Sequence, residues 1–317
     1  MPRHRHDLPQ TRGVPFLTDG GIETTLIFHY GLELPSFAAF TLLDTSAGQA
    51  ALQRYFSTYV DLARRLRLGV VLESPTWRAS PDWGAPLGYS AERLREIYLR
   101  SIHLMERFRA VLDRDGLPTV IAGDIGPRGD GYIPSAVMTA TAAAEYHRPQ
   151  IEAFADSEAD LVSALTMNYV DEAIGVALAA RSVAMPVVLS FTVETDGRLP
   201  TGETLEGAIE ATDAATDSYP AYYMVNCAHP THVLQDLSSG PWRRRIRGIR
   251  ANASAKSHAE LNEATALDAG DPVAFGALHG TLREQFPSLC VIGGCCGTDH
   301  RHVEQACLAM SSGVLNP

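Results

Sequence analysis

Positive charge is scarce in this sequence of 317 residues. Lys and Arg together number 26 against 37 Asp and Glu, a formal net charge of −11 at neutral pH. A protein that binds nucleic acid broadly needs a basic face to displace counterions from phosphates. The charge balance therefore argues against a nucleic-acid partner. The one arginine-dense run, Trp242 to Arg250, continues into an alternating pattern, which is typical of a charged approach to a strand.

Long hydrophobic runs are absent as well. No apolar stretch reaches the roughly 18 residues that a membrane-spanning helix needs. The opening stretch MPRHRHDLPQTRG contains no apolar segment that can act as a signal peptide. We therefore expect a cytoplasmic protein without a membrane partner, in which residues 1–13 form a disordered polar arm.

Cysteines are few, five in all, yet two of them are neighbours in the stretch VIGGCCGTDHRH. In a reducing compartment, an odd number of cysteines with one adjacent pair indicates metal binding or catalysis rather than disulfide bonds. Cys290 lies inside a strand pattern and Cys307 on a helical one, so both are interpreted as core residues. The cysteines that remain for chemistry are Cys227, Cys295 and Cys296.

Short β-branched runs alternate with long helical patterns along the chain, which is typical of parallel βα units in the α/β class. The predicted strands end at Asp19, Glu73, Asp124, Thr166, Thr192, Cys227, Asn252 and Cys296. With a helix after each strand, this pattern predicts a single-domain (β/α)8 TIM barrel over residues 14–317. An open doubly wound sheet is the alternative, but no G-x-G-x-x-G follows the first strand to support a dinucleotide site.

The barrel prediction brings the cysteines together. Active sites of such barrels lie at the carboxyl ends of the strands, and strands six and eight are close neighbours around a closed ring. Adjacent cysteines can face one ion only where the strand ends and turns, and Gly293, Gly294 and Gly297 are expected to supply that freedom. Nearby histidines are weaker candidates, because each lies at the start of a following helix: His229, His232, His300 and His302.

Three thiolates with one open position describe a site for a soft metal ion such as Zn²⁺. Coordination deprotonates a further thiol outright, whereas a free thiol is mostly protonated at neutral pH. The sequence therefore predicts catalysis through a zinc-bound substrate thiolate held by the three cysteines, in alkyl transfer to a thiol. A zinc hydrolase that uses metal-bound water is the alternative hypothesis, and three thiolate ligands argue against it.

The stretches LTDGGIETTL, GDIGPRGDGY, VNCAHPTHV and IGGCCGT resemble the motifs of the zinc-dependent homocysteine S-methyltransferases. That family includes the betaine-homocysteine and S-methylmethionine-homocysteine methyltransferases. The resemblance covers nearly the whole chain and implies a (β/α)8 barrel with zinc on the three cysteines. It also implies methyl transfer from a sulfonium or ammonium donor to a small-molecule thiol. The expected thiol is homocysteine, which would give methionine and a role in methionine biosynthesis.

The resemblance also implies a place for the amino-acid end of the substrate. Asp19 would meet its ammonium group, and backbone N–H groups around Gly20 and Gly21 its carboxylate. Asn226, beside the first zinc cysteine, would orient the substrate or the cysteine loop.

One departure separates this chain from its relatives. Many of them carry a Glu at the end of the fourth strand that also holds the ammonium group, and here that position is Leu165. We expect either that Glu73 takes over this contact or that the acceptor is a different thiol. A non-catalytic thiol-binding zinc barrel is a further alternative. Candidate aromatic contacts for a cationic donor are Trp77, Tyr132 and Tyr223. The residues leave open the donor, the physiological thiol and the oligomeric state.

Overall fold

The computed structural model describes residues 1–134, 137–235 and 237–311. Eight parallel strands form a closed barrel in chain order, and the last pairs with the first. The strands are β1 Phe16–Leu17, β2 Gly69–Glu73, β3 Thr119–Ile125, β4 Leu161–Met167, β5 Val187–Phe191, β6 Tyr222–Asn226, β7 Ile246–Ala251 and β8 Val291–Gly294. The predicted TIM barrel is confirmed.

One main helix follows each strand along the chain. These helices are α1 Ser46–Leu66, α2 Ala91–Arg114, α3 Ala140–Ala155, α4 Val170–Ser182, α5 Leu205–Thr216, α6 Pro230–Val233, α7 Pro272–Gln285 and α8 His300–Ser311. Shorter helical segments are Pro9–Arg12, Ile22–Thr24, Thr25–His29, Pro35–Phe37, Ala39–Asp44, Pro81–Gly84, Ala85–Leu87, Pro241–Arg245 and His258–Asn262. Side-chain caps begin the first two long helices, since Thr45 accepts from the N–H of Gly48 and Ser90 from that of Arg93.

The barrel interior changes from apolar to polar along the strands. Alternate residues of a strand face the same side, so each strand contributes one inward series. The lower part of the barrel interior, toward the amino-terminal ends of the strands, is packed with apolar side chains: Phe16, Val71, Val120, Leu161, Val188, Tyr222, Met224 and Val291. One step further along, the series continues with polar residues that hydrogen-bond or form ion pairs across strands: Thr18, Glu73, Ser190, Asn226 and Arg250. This change places the chemistry at the carboxyl end of the barrel.

The amino-terminal segment, expected to be a disordered arm, contacts the rest of the barrel. The guanidinium of Arg5 donates to backbone carbonyls at the end of α3 and just beyond it, including Ala155 and Ala159, both at 2.8 Å. The last carbonyls of a helix lack partners within the helix, so a nearby arginine can satisfy them. Leu8 packs into the lower interior and Gln10 is fully buried. Residues 1–13 therefore close the lower end of the barrel.

Two other features bear on the sequence predictions. Residues 312–317, the end of the predicted barrel domain, lie outside the described residues. None of the helices in the described ranges combines the length and hydrophobicity that a membrane crossing requires.

Candidate active site

The predicted cysteine cluster is brought together at the mouth of the barrel. Cys227 follows β6, and Cys295 and Cys296 follow β8. Their three sulfur atoms lie within 4.8 Å of one another. The sulfurs of Cys227 and Cys295 are in disulfide contact, and Cys296 is a free thiol. Because metals bind thiolates, this pair offers its sulfurs to an ion only in the reduced state.

The backbone at Cys227 is held in an unusual conformation. Its φ angle of 55° lies in the left-handed region, which is uncommon for a residue other than glycine. Three hydrogen bonds fix it: its N–H donates to the carbonyl of Arg250 at 3.1 Å, and its own carbonyl accepts from Asn252 at 2.9 Å and from His258 at 2.7 Å. These hydrogen bonds from the neighbouring strand and loop therefore fix the direction in which the Cys227 sulfur points.

The glycines around the cysteine pair act differently from the expectation. Only Gly297 has a left-handed φ, at 79°, and it makes the turn after Cys296. Gly293 and Gly294 belong to β8 and are required for close packing. A Cβ on Gly293 would lie 2.5 Å from the side chain of Thr18, and one on Gly294 would collide with Thr298. The backbone freedom thus resides in one glycine, and the other two allow the strand to pass close to its neighbours.

A cavity of about 430 Å³ opens above the cysteines. Its apolar and aromatic lining comprises Ile27, Phe28, Phe37, Trp77, Tyr132, Leu165, Leu261, Ala264 and Leu267. Its polar lining includes Glu23, Arg78, Asp124, Asp130, Thr166, Asn226 and Arg250. Among the predicted aromatic contacts, Trp77 and Tyr132 line this cavity. Tyr223 does not: it is buried in the core, and its hydroxyl donates to Asp213 at 2.8 Å.

Tyr132 connects the cavity to the cysteine cluster. Its hydroxyl lies 3.6 Å from the sulfur of Cys296, and its ring stacks on His258 with centroids 3.9 Å apart. Burial, with the neighbouring Cys296, raises the pKa of the Tyr132 hydroxyl well above its ordinary value. His258, which sequence reasoning missed, also lies 2.9 Å from the carboxylate of Glu194. The sequence signal was the capping box S-H-A-E, in which Ser257 begins the helix that carries His258.

Asn226 orients the loop next to the cysteines. Its side-chain oxygen accepts from the N–H of Thr166 at 2.8 Å and from Ser190 at 2.6 Å, and its amide donates to the hydroxyl of Thr166 at 2.7 Å. Thr166 has a left-handed φ of 61°, and its hydroxyl lies 3.9 Å from the sulfur of Cys227. Asn226 therefore holds a strained residue that contacts the cysteine cluster.

Asp19 and Glu73 come together, but around Arg250. Arg250 donates to Asp19 at 2.6 Å and also contacts the carboxylate of Glu73. Asp19 accepts from the hydroxyl of Tyr55 at 2.9 Å, and Glu73 accepts from Thr18 at 3.1 Å. Burial raises the pKa of the Glu73 carboxyl. Among the described residues that line the cavity, Arg250 is present and its two carboxylate partners are not. Arg250 was missed because its strand, RIRGIRAN, was interpreted by its pattern and not by the side chain that faces inward.

Gly20 and Gly21 line the cavity, and neither position has room for a side chain. A Cβ on Gly20 would lie 2.5 Å from the hydroxyl of Tyr59, and one on Gly21 would collide with the carbonyl of Cys295. The N–H of Gly21 donates to the backbone oxygen of Thr298 at 3.1 Å. That N–H is therefore engaged within the protein, which limits what it can offer a substrate carboxylate.

Several carboxylates that the sequence reasoning did not select line the cavity, and two of them have a raised pKa. Glu23 is half-buried, and burial raises the pKa of its carboxyl to about 7. Asp124 is 7% exposed, and burial together with the nearby carboxylate of Glu73 raises the pKa of Asp124 well above its ordinary value. The position of Asp124 at the end of a predicted strand was the signal that could have singled it out.

Fold and site together define a TIM-barrel enzyme whose cysteine cluster can hold a soft metal ion at the base of a largely apolar cavity. The family model described as homocysteine S-methyltransferase matches residues 16–310. The chain belongs to this family of methyltransferases, and its substrates are small molecules.

Solved structures of the homocysteine methyltransferase MmuM from Escherichia coli are similar to this chain. The oxidised form has a TM-score of 0.71 at 20% identity, covering 96% of this chain and 99% of that one. The metallated form has a TM-score of 0.68 at 20% identity, covering 95% and 97%. At this level of identity the likeness shows the shared fold. No curated protein sequence matches the chain at a significant level.

Proposed function

We propose that this protein is a zinc-dependent S-methyltransferase that moves a methyl group from a sulfonium or ammonium donor to homocysteine, giving methionine. The observation that carries the proposal is the approach of three cysteine sulfurs to within 4.8 Å of one another beside the cavity. Membership of the homocysteine S-methyltransferase family supports the acceptor. A cytoplasmic location, where thiols stay reduced, belongs to the same proposal.

The donor set fits zinc. Cys227, Cys295 and Cys296 would hold the ion, because three soft thiolates favour Zn²⁺ over Mg²⁺ or Mn²⁺ and leave one coordination position for a ligand. When bound, zinc would deprotonate a thiol ligand at neutral pH and keep its sulfur electron-rich. The similarity to a metallated E. coli homocysteine methyltransferase supports a metal in this fold.

The protein's own residues contribute position and exclusion of water. In the reaction, the electron pair of the acceptor sulfur forms the new S–C bond while the C–S⁺ or C–N⁺ bond of the donor breaks and its electrons return to the donor atom. The donor's positive charge is neutralised as the methyl group leaves, so little acid or base assistance is needed. Alignment of sulfur and methyl group is the main contribution. Trp77 and Tyr132 would attract the methylated cation through their ring faces, in a wall otherwise largely apolar.

The amino-acid end of homocysteine is proposed to lie at the base of the cavity. Gly20 and Gly21 line this part of the cavity, where the main chain would face the ligand. Asn226 would hold Thr166, at the end of β4, against the cysteines. Asp19 and Glu73 do not line the cavity, and they would hold Arg250 in place at its wall, since both carboxylates contact that arginine.

The test is to incubate the reduced, zinc-loaded protein with homocysteine and methyl donors that carry a trideuterated methyl group. The donors are S-methylmethionine, S-adenosylmethionine and betaine. We expect labelled methionine, detected by mass, with at least one donor, and its loss in Cys296→Ala but not in the matched core variant Cys307→Ala. Labelled product with another thiol but not with homocysteine would support a different acceptor. Binding of homocysteine without turnover of any donor would favour a thiol-binding zinc barrel.

A further inference from the structure

Asp124 is a buried carboxylate whose main chain is hydrogen-bonded, whereas one of its carboxylate oxygens has no partner among the described residues. Its N–H donates to the hydroxyl of Ser74 at 2.9 Å, and its carbonyl accepts from Thr76 at 2.7 Å and from Gln150 at 3.3 Å. By contrast, the Oδ1 atom of Asp124 has no hydrogen-bond partner among the described residues, although the residue is only 7% exposed. A buried carboxylate oxygen without a partner is costly, so its retention points to a ligand.

None of the cations in the described ranges forms an ion pair with Asp124. Three carboxylates, Asp19, Glu73 and Asp124, lie near one another in the upper barrel, and Arg250 is the cation among them. Arg250 contacts Asp19 and Glu73 directly. The other buried cation of the cavity, Arg78, donates to the carbonyl of Gly129 and lies 3.9 Å from the carboxylate of Asp130. Because burial and the neighbouring carboxylate of Glu73 raise the pKa of Asp124, a cationic group from outside would favour the ionised form of Asp124 and balance its charge.

The remaining carboxylates of the cavity are less suited to that group. Asp130 accepts from the N–H groups of Tyr132 at 2.8 Å and Ile133 at 3.1 Å, so it shapes its own loop. Glu23 is half-buried rather than buried, and Asp268 accepts from the hydroxyl of Ser254 at 2.8 Å. Asp124 alone combines burial, an unpartnered oxygen and a place in the cavity wall among the described residues.

The position of Asp124 also matches the substitution at Leu165. Strands β3 and β4 pair with Asp124 opposite Ser163, two residues before Leu165, and both Asp124 and Leu165 line the cavity. We propose that Asp124 binds the ammonium group of an amino-acid thiol acceptor, so that the carboxylate missing from β4 is supplied by β3. The proposal rests on the proposed function, and it identifies the acceptor as a thiol that carries an ammonium group.

The test compares two thiols that differ only in the amino group, homocysteine and 4-mercaptobutanoate. Calorimetric binding of each is measured to the reduced, zinc-loaded wild type, to the isosteric variant Asp124→Asn and to the matched control Asp130→Asn. We expect the wild type to prefer homocysteine. A charge-assisted hydrogen bond of this kind contributes about tenfold to hundredfold in affinity. Asp124→Asn is expected to lose that factor for homocysteine while 4-mercaptobutanoate binds as before, and Asp130→Asn to keep the wild-type preference.

Several outcomes would overturn the inference. One is Asp124→Asn with an undiminished preference for homocysteine. Another is an equal loss of both thiols, or loss of zinc, in both Asp124→Asn and a second variant, Asp124→Ser, because a role in ammonium binding leaves the metal site and the thiol contact intact. If the zinc-loaded wild type binds neither thiol, the proposed function itself fails. If the wild type binds both thiols equally, the proposed function stands and only the ammonium site is excluded.

Discussion

The Nε2 atom of His258 lies 2.7 Å from the backbone carbonyl of Cys227 and donates a hydrogen bond to it. This contact joins a short helix, His258–Asn262, to the first cysteine of the cluster. Because the same imidazole stacks on Tyr132, the geometry at Cys227 depends on residues more than a hundred positions apart in sequence.

Replacing His258 is expected to weaken metal binding. His258→Leu removes the hydrogen bond that orients Cys227, and loss of such outer contacts typically lowers metal affinity about tenfold to hundredfold. Competition with a chromogenic chelator measures the zinc affinity. The control is His103→Leu on the outer surface, where the side chain is 75% exposed. Equal zinc affinity of wild type and His258→Leu would contradict the prediction.

Removal of one cluster sulfur is expected to abolish stable metal binding. In Cys227→Ala only two thiolates remain, which is fewer than zinc sites use in proteins. The reduced wild type should retain about one zinc per chain after gel filtration, by analogy with other three-ligand catalytic sites. The variant should retain little, as measured by atomic emission. Cys290→Ala, a buried cysteine outside the cluster, serves as control, and retention of zinc by Cys227→Ala would exclude this cluster as the site.

Arg250 is expected to be essential for stability. Arg250→Met would leave Asp19 and Glu73 buried without their counterion, and breaking a buried ion pair from one side costs about 3–5 kcal/mol in the free energy of unfolding. Urea denaturation monitored by circular dichroism measures the change. Arg247→Met on the same strand is the matched control, since Arg247 donates to the carbonyl of Thr11 in a partly buried site and is not the counterion of a buried carboxylate pair. A loss below 1 kcal/mol would show that the carboxylates do not need this arginine.

The raised pKa of Glu23, about 7, makes the stability of the metal-free protein depend on pH. Between its ordinary value and pH 7 the folded state binds more protons at this carboxyl than the unfolded state does. The contribution of Glu23 to the free energy of unfolding therefore decreases as the pH rises through this window. Urea denaturation of the reduced protein at several pH values should show a shallower decrease in Glu23→Gln than in wild type. Glu33→Gln, at an exposed position, should follow the wild type, and parallel curves for all three proteins would disprove the shift.

Much of the fold could be predicted from local patterns. The second strand ends at Glu73 as predicted, and the eighth ends at Gly294, two residues before the predicted Cys296. The end of a strand is indicated by a change from β-branched residues to polar residues and glycine. This change is visible within a few neighbouring residues of the sequence. The contacts of residues 1–13 could not be predicted from local patterns, because Arg5 donates to carbonyls some 150 positions away.

The candidate site divides in the same way. The cysteine cluster could be predicted because few cysteines were present and the two strands that lead to them, β6 and β8, had to end on the same rim with one strand between them. Asp124 and His258 were not selected, because a strand end and a capping box are signals that many ordinary polar residues share.

The amino-acid sequence by itself determined the barrel, the end of it at which chemistry takes place and the three sulfurs that meet there. These follow from periodicity and chain order, which are local properties. Only the tertiary structure decided that Asp19 and Glu73 share Arg250 while the Oδ1 atom of Asp124 has no hydrogen-bond partner in the described part of the chain. The reason is that ion pairs in a barrel interior form between inward side chains of different strands that lie at the same height along the barrel axis. That height is set by strand register and by side-chain geometry across the ring.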